Sequence, residues 1–144
     1  MICLGLDFGA RRVGVAASDE LGRFAEPIGC IAYRAKEELW SGLQTYLDEQ
    51  KIDTIVIGLP VRTSGEQKIE AKRALRFAEE VKKKVSCEVI TWDERFTTKE
   101  AERILREYDF SPEKRKQKRD ALAAAIMLQN YLDFKRIKGD RCTN

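Results

Sequence analysis

Residues 2–19 read ICLGLDFGARRVGVAASD, and this stretch decides the fold. The apolar residues before Asp7 predict a buried strand, and the F-G-A tripeptide after Asp7 predicts a turn. Val13, Val15 and Ala17 then alternate with small residues, which predicts a second strand. The two strands are expected to pair as a hairpin, with an acidic residue directly after the first of them.

Beyond the hairpin, the pattern changes to alternating helices and strands. A proline at position 27 opens the third predicted strand and suits the edge of a sheet. The later elements follow from apolar residues at helical spacing, from β-branched apolar runs, and from capping signals. The predicted elements are a strand at 27–33, a helix at 36–50, a strand at 54–59, a helix around 71–81, a strand at 87–92, and helices beginning near Thr97 and Ser111.

This order predicts an α/β fold with a mixed five-stranded sheet covered by helices. The first three strands are expected to be antiparallel, and the first, fourth and fifth parallel. With no repeat or linker in its 144 residues, the chain is interpreted as one domain covering residues 1–144. In such sheets, functional residues collect at the carboxyl ends of the parallel strands.

Composition excludes several classes of protein. The chain contains no histidine, which removes Ser-His-Asp and Cys-His catalysis and His-based metal sites. Its four cysteines are scattered without a C-x-x-C pair, so we expect reduced, mostly buried thiols. No apolar run is long enough for a membrane span and the N-terminus lacks a signal pattern, which predicts a cytoplasmic protein without membrane contact.

Acidic residues follow two of the predicted parallel strands. Asp7 follows the first strand, and Asp93 and Glu94 follow the fifth, so their carboxylates are expected at one edge of the sheet. Asp120 lies on the predicted inner face of the last helix, where an unpaired carboxylate is costly. Converging carboxylates predict a site for a hard cation such as Mg²⁺, which could cleave phosphodiesters.

Each acid also has a simpler interpretation. Asp7 could cap the following turn, and Asp93 and Glu94 could be ordinary loop acids, with Glu94 paired to Arg95. Asp120 could balance the basic segment before it. Neighbouring residues on an extended segment point to opposite sides, so Asp93 and Glu94 cannot both face Asp7 if the strand persists.

Two basic segments are candidate phosphate contacts. Arg11 and Arg12 follow the first turn, and KRKQKR precedes Asp120 at residues 114–119. Neither segment has interleaved aromatic residues, which favours contact with the backbone over base stacking. The alternative is a solvated surface. With Arg95, the predicted nucleic-acid contacts are Arg11, Arg12, Arg95, Lys114, Arg115, Lys116, Lys118 and Arg119.

Four motifs along nearly the whole chain resemble the YqgF family, whose members are regarded as pre-16S ribosomal RNA nucleases and are related to the Holliday-junction resolvase RuvC. The motifs are GLDFGARRVGVAASD (residues 5–19), IVIGLP (55–60), WDERFTTKEAERIL (92–105) and RDALAAAIMLQNYL (119–132).

The resemblance implies a ribonuclease-H-like fold with catalytic, metal-binding acids at Asp7, Glu94 and Asp120. It implies a Mg²⁺- or Mn²⁺-dependent endonuclease that trims the pre-16S ribosomal RNA, a structured RNA, or alternatively resolves branched DNA. Two departures affect the expected substrate contacts. Residues 61–65 are VRTSG in place of an N-x-D-G type loop, and residues 116–119 lack the glycine that often precedes the helix aspartate.

Two other function classes share parts of this pattern. The first motif also resembles the phosphate loop of actin- and sugar-kinase-like ATPases, but those proteins clamp a nucleotide between two such domains. A non-catalytic RNA-binding assembly factor could keep the fold without cutting, although retention of all three acids argues against it. A resolvase would need a dimer, and the sequence leaves the choice between monomer and homodimer open.

Overall fold

Five strands and three helices make up the described part of the structure, a computed structural model that describes residues 1–59, 65–93 and 112–142. Side chains are described for 1–59, 68–93 and 118–138. The strands are β1 (Cys3–Phe8), β2 (Arg12–Ser18), β3 (Ala25–Ala32), β4 (Thr54–Leu59) and β5 (Glu88–Asp93). The helices are α1 (Lys36–Glu49), α2 (Gly65–Lys84) and α3 (Pro112–Cys142).

The strands form one mixed sheet in the order β3-β2-β1-β4-β5. Strand β1 pairs antiparallel with β2, which pairs antiparallel with β3, while β1 pairs parallel with β4 and β4 with β5. The predicted topology is therefore confirmed. Pro27 lies in β3 at the edge of the sheet, where a missing backbone N–H is tolerated.

The two faces of the sheet are covered by different helices. Leu4 and Leu6 of β1 face α1 and α2 in one buried cluster that also contains Leu39 and Phe77. The alternate positions face α3 in a second cluster, which includes Val56 and a small-residue stripe of the helix. This division follows from the two-residue period of a strand. Each fully buried leucine contributes about 1.5–3 kcal/mol.

Helix α3 lies close to the sheet because it packs against a glycine of β1 and because its Gln129 side chain is hydrogen-bonded to the backbone. A Cβ built on Gly5 would lie 2.9 Å from Cβ of Leu128, so that contact depends on glycine. The fully buried Gln129 accepts a hydrogen bond from the backbone N–H of Ala25 (2.8 Å) and donates one to the carbonyl of Arg23 (2.9 Å). These bonds fix the rotation of α3 on its axis.

The structure corrects three expectations from the sequence. Asp93 is the last residue of β5 and is paired with Leu59, so it does not follow the strand. Asp7 lies inside β1, not after it, because the strand is paired on both sides as far as that residue. Of the cysteines with described side chains, Cys3 is buried, whereas Cys30 is exposed and Cys87 half-buried, so the thiols are not mostly buried. The helix predicted near Thr97 lies outside the described residues.

Among the described helices, none is long and apolar enough to cross a membrane.

Candidate active site

Asp7 lies in the middle of a row of residues that crosses the sheet. Its Cα partners are Gly14 on β2 and Gly58 on β4, and the row continues to Cys30 on β3 and Trp92 on β5. Residues directly opposite each other across a ladder point to the same face, so all five face α3. A glycine on each side leaves space around the Asp7 carboxylate.

Helix α3 places Asp120 over this row. Its backbone lies against Gly14, and its side chain is 26% exposed. Burial, and secondarily the charge of Asp120, raise the pKa of Asp7 from 3.8 to about 6. Within the described residues, no hydrogen bond or ion pair satisfies the Asp7 carboxylate. Two carboxylates are therefore held near each other at an electrostatic cost.

Two side chains from the sheet contact Asp120. Arg12 Nε lies 3.0 Å from Asp120 Oδ2, and Cys30 Sγ donates a weak hydrogen bond to the same oxygen at 3.8 Å. Burial, then the Asp120 charge, raise the pKa of Cys30. In the described structure, Asp120 thus pairs with Arg12 from β2. The sequence did not point to Cys30, since its proximity to Asp120 depends on the register of an edge strand.

The fifth strand separates the two remaining acidic candidates. Trp92 belongs to the row that contains Asp7, whereas Asp93 is the partner of Leu59 and faces the opposite side of the sheet. Glu94 and Arg95 lie outside the described residues. The register of β5 therefore turns Asp93 away from Asp7, whereas Glu94 lies outside the part of the chain whose register is known.

The described residues suit a hard divalent cation in part. Oxygen ligands are what Mg²⁺ and Mn²⁺ prefer, and a cation would relieve the repulsion between Asp7 and Asp120. Among residues with described side chains, no group of three acids or cysteines forms a complete metal site. The described donor set therefore fits a cation held by two carboxylates, Asp7 and Asp120.

A basic surface borders the two carboxylates. Arg11, Arg12 and Arg34 line a cavity of about 480 Å³, whose other lining residues are Ala32, Tyr33 and Glu38, so three cations face one acid. The sequence pointed to the first two but not to Arg34, which follows the end of β3 and reaches this surface only through strand pairing. On the helix side, Lys118 and Arg119 are exposed just before Asp120. The side chains of Lys114, Arg115 and Lys116 lie outside the described residues.

Comparison with known proteins assigns the chain to a family. A model of the RuvX family, described as Holliday junction resolvase, matches residues 1–134. The chain belongs to the RuvX family. This is the family that its motifs resemble under the name YqgF, and membership makes the chain part of a nuclease family.

Individual RuvX relatives match along their whole length. A protein of Caldicellulosiruptor saccharolyticus is 44% identical over 136 residues, which cover 93% of this chain and 98% of the relative. A protein of Geobacillus kaustophilus is 41% identical over 138 residues, covering 94% and 100%. Both carry the name "Putative pre-16S rRNA nuclease".

Solved structures confirm the ribonuclease-H-like fold of this RuvX chain. RuvC of T. thermophilus, in complex with a Holliday junction substrate, aligns with a TM-score of 0.57 over 94% of this chain and 96% of that one. The Fowlpox virus Holliday junction resolvase aligns with a TM-score of 0.51 over 92% and 99%. At 13% and 16% sequence identity, these likenesses concern the fold.

Proposed function

We propose that this protein is a divalent-metal-dependent endonuclease that hydrolyses phosphodiesters of the pre-16S ribosomal RNA. The observation that carries the proposal is the approach of Asp7 and Asp120 beneath a basic surface. Two carboxylates near each other favour a cation, and the surrounding arginines favour a polyanion. Together they suit a charged phosphate backbone.

The proposed catalytic set is Asp7, Asp120 and Glu94. Asp7 is supplied by the central strand β1, whose neighbours hold it rigidly on both sides. Asp120 is supplied by α3, and Glu94 follows the parallel strand β5. The family motif and the alternation of side chains along the sequence both favour Glu94 over Asp93 as the third ligand.

When bound, Mg²⁺ or Mn²⁺ would supply Lewis-acid stabilisation of the charge that develops on the phosphodiester. The residues of the chain would hold the cation and balance the charges around it. Asp7 and Asp120 provide the anionic oxygens, and Asp7 must lose its proton to do so, which its raised pKa opposes near pH 6. Arg12 keeps Asp120 in place through its guanidinium.

Positively charged residues around the site are proposed to hold the substrate backbone. Arg11, Arg12 and Arg34 lie on the sheet side, and the segment 114–119 with Arg95 completes the proposed surface. Such contacts position a nucleic acid without reading its sequence. They are compatible with RNA or DNA, and with a monomer or a homodimer.

The substrate choice is supported by the relatives, which are named for pre-16S rRNA. A cytoplasmic location is part of the same proposal. A specific observation favours one alternative, a branched-DNA resolvase, because the RuvX model is described by Holliday junction resolution. A third possibility is a ribosome-assembly factor that binds RNA without cutting it.

Cleavage assays distinguish these three functions. Purified protein is incubated with a labelled precursor of the small-subunit RNA 5′ region and, separately, with a four-way DNA junction, in Mg²⁺ or Mn²⁺. Asp7→Asn is the matched inactive variant, and chelator is the metal control. Metal-dependent RNA cuts that the variant lacks are the expected result.

Other outcomes would change the assignment. Symmetric cuts in the junction, without cuts in the RNA, would identify a resolvase. RNA binding by both proteins without any cleavage would identify an assembly factor and contradict the nuclease proposal. Cleavage by Asp7→Asn at the wild-type rate would contradict the assigned site and point to a contaminating nuclease.

A further inference from the structure

A small cavity opens on the other face of the sheet, beside the strand end that carries Asp7. It has a volume of about 170 Å³ and is lined by the aromatic residues Phe8, Tyr33 and Phe77 and by Arg73 and Arg76 of α2. We propose that this cavity binds one unpaired nucleobase of the nucleic-acid substrate. The proposal rests on the proposed function, because it assumes that a nucleic acid occupies the adjoining site.

Aromatic rings form the inner wall of the cavity. Phe8 and Phe77 stack with their ring centroids 4.6 Å apart and their planes at 19°. Phe77 is buried, so this wall is rigid, whereas Tyr33 is half-buried and borders the opening. Phe77 also stacks with Trp40, with ring centroids 5.7 Å apart and planes at 16°. Phe8 and Tyr33 are therefore the lining rings that can meet the face of a planar ligand.

Two arginines form the rim. Arg73 and Arg76 are exposed and three residues apart, which places them on the same side of α2. A planar guanidinium can stack on a base and also contact the neighbouring phosphate. The remaining charges at the cavity cancel each other, because Lys36 Nζ lies 2.9 Å from Glu80 Oε1. The cavity is therefore apolar inside and positively charged at its rim.

Tyr33 connects this cavity to the candidate active site. Its hydroxyl donates a hydrogen bond to the carbonyl of Gly9 (2.7 Å), two residues after Asp7. Tyr33 also lines the larger cavity that contains Arg11, Arg12 and Arg34. A backbone that leaves Asp120 along these arginines therefore passes Tyr33 before it reaches Arg73. Tyr33 is the lining residue that the two cavities share.

The dimensions and chemistry favour a base over other ligands. Pockets for whole drug-sized molecules span roughly 300–1,000 Å³, so this cavity suits one planar group and not an intact nucleotide. Unpaired bases are bound in proteins by stacking on aromatic rings and arginine planes. A paired base cannot enter, since its faces are covered in the duplex. The cavity is thus expected to select substrates with an unpaired nucleotide near the cleavage position.

The sequence favoured backbone contact over stacking because neither basic segment contains aromatic residues. The structure places Phe8 and Tyr33 beside Arg11 through the turn and the pairing of β2 with β3. Aromatic residues and cations that are separated in sequence thereby line two cavities that share Tyr33.

The test compares binding of two labelled RNA hairpins that differ only by one bulged nucleotide. The protein carries Asp7→Asn to prevent cleavage, and binding is measured by fluorescence anisotropy. Arg73→Gln with Arg76→Gln is expected to weaken binding of the bulged hairpin about tenfold, and of the paired hairpin about twofold or less. Lys72→Gln with Lys83→Gln, on exposed positions of the same helix, removes the same charge and should affect both hairpins equally.

Substitutions at Tyr33 test whether its aromatic ring contributes to binding the base. Tyr33→Leu should lower affinity for the bulged hairpin alone, whereas Tyr33→Phe, which keeps the ring, should preserve it. A 2-aminopurine at the bulge should change its fluorescence on binding to the parent protein, and lose this change in the arginine variant. Circular dichroism first verifies that the variant is folded. The change in 2-aminopurine fluorescence then reports on the base contact and not on stability.

The failures of the two proposals are distinguishable. Equal weakening of both hairpins by the arginine variant would mean purely electrostatic contact and would overturn the base-binding site, as would absence of binding to either hairpin. The bulge preference can hold while the protein with its native Asp7 cuts neither RNA nor junction. In that case the base-binding site stands and the nuclease proposal fails.

Discussion

Gly14 of β2 lies directly against the backbone of α3 at Asp120. A Cβ built on Gly14 would lie 1.8 Å from the carbonyl oxygen of Asp120 and 2.4 Å from its carbonyl carbon. Gly14 is also the Cα partner of Asp7. One glycine therefore sets the distance between the helix and the strand that carry the two described carboxylates, because only a residue without a side chain allows this approach.

Gly14→Ala is expected to displace α3 and to reduce both stability and cleavage. The new methyl group meets backbone atoms, which cannot rotate away, so the free energy of unfolding should fall by about 1–3 kcal/mol or more. A shift of about 1 Å in a catalytic group can lower the rate about 100-fold. Urea unfolding and cleavage rates measure the two effects.

Gly29→Ala is the matched control for this prediction. A Cβ at Gly29 would lie 2.0 Å from the hydroxyl of Tyr46, the far end of a side chain that can move. Its cost should be within about 1 kcal/mol, with cleavage retained. Wild-type cleavage by Gly14→Ala would show that the close approach of α3 does not position Asp120.

Asp7→Asn is expected to stabilise the metal-free protein above about pH 6. The pKa of Asp7 is raised to about 6 from 3.8, so the folded state holds its proton more tightly than the unfolded state. The resulting penalty is absent below about pH 4, grows between pH 4 and 6, and is complete above pH 6. For this partly exposed carboxylate it is at most about 3 kcal/mol.

Unfolding in chelator at pH 4, 6 and 8 measures this effect. The difference between Asp7→Asn and the parent protein should grow from pH 4 to pH 6 and then level off. Glu26→Gln makes the same chemical change on an exposed residue of β3 and should show no such growth. A variant that is less stable than the parent at pH 8 would contradict the raised pKa.

Much of the fold could be predicted from the sequence because its signals are local. The run TIVIGL predicts β4 at its observed bounds, Thr54–Leu59, since its apolar β-branched residues suit a buried parallel strand. The inner face of α3 was likewise predictable, because Ala124, Met127 and Tyr131 recur at helical spacing with Asp120. Periodicity requires no knowledge of distant residues.

The contacts that define the site were not predictable, because each joins residues far apart in the chain. The pairing of Arg12 with Asp120 depends on where α3 crosses β2. The location of Cys30 near the same carboxylate depends on the register of β3, which is shifted by an irregularity between Val15 and Ala16. Spacing in sequence contains no information on such crossings.

Removing the arginines beside the site should reduce the salt dependence of RNA binding. Replacing Arg11, Arg12 and Arg34 by glutamine in the Asp7→Asn protein should lower the slope of log Kd against log salt by roughly two to three, because each lost phosphate contact accounts for about 0.7–0.9. Loss of the half-exposed Arg12–Asp120 pair should cost less than about 1 kcal/mol of stability.

Anisotropy titrations over a range of salt concentrations measure the slope. The control replaces Arg23, Lys135 and Lys138 by glutamine. The first two line a cavity near Met1 and Cys3, at the opposite end of β1. This variant has the same net charge as the first and should keep the parent slope. Equal slopes for both variants would show that overall charge, and not the arginine surface, determines binding.

Replacing Asp93 and Glu94 one at a time should identify the third ligand. The register Gly58↔Trp92 and Leu59↔Asp93 puts Trp92 on the Asp7 face and Asp93 on the opposite face. Since side chains alternate along an extended chain, the sequence predicts that position 94 returns to the Asp7 face. Glu94→Gln should therefore abolish cleavage and weaken Mn²⁺ binding, measured by calorimetry, whereas Asp93→Asn should leave both within about threefold. Loss of cleavage in Asp93→Asn alone, with Mn²⁺ affinity reduced in that variant only, would mean that the chain reverses its alternation at the end of β5 and that Asp93 is the ligand.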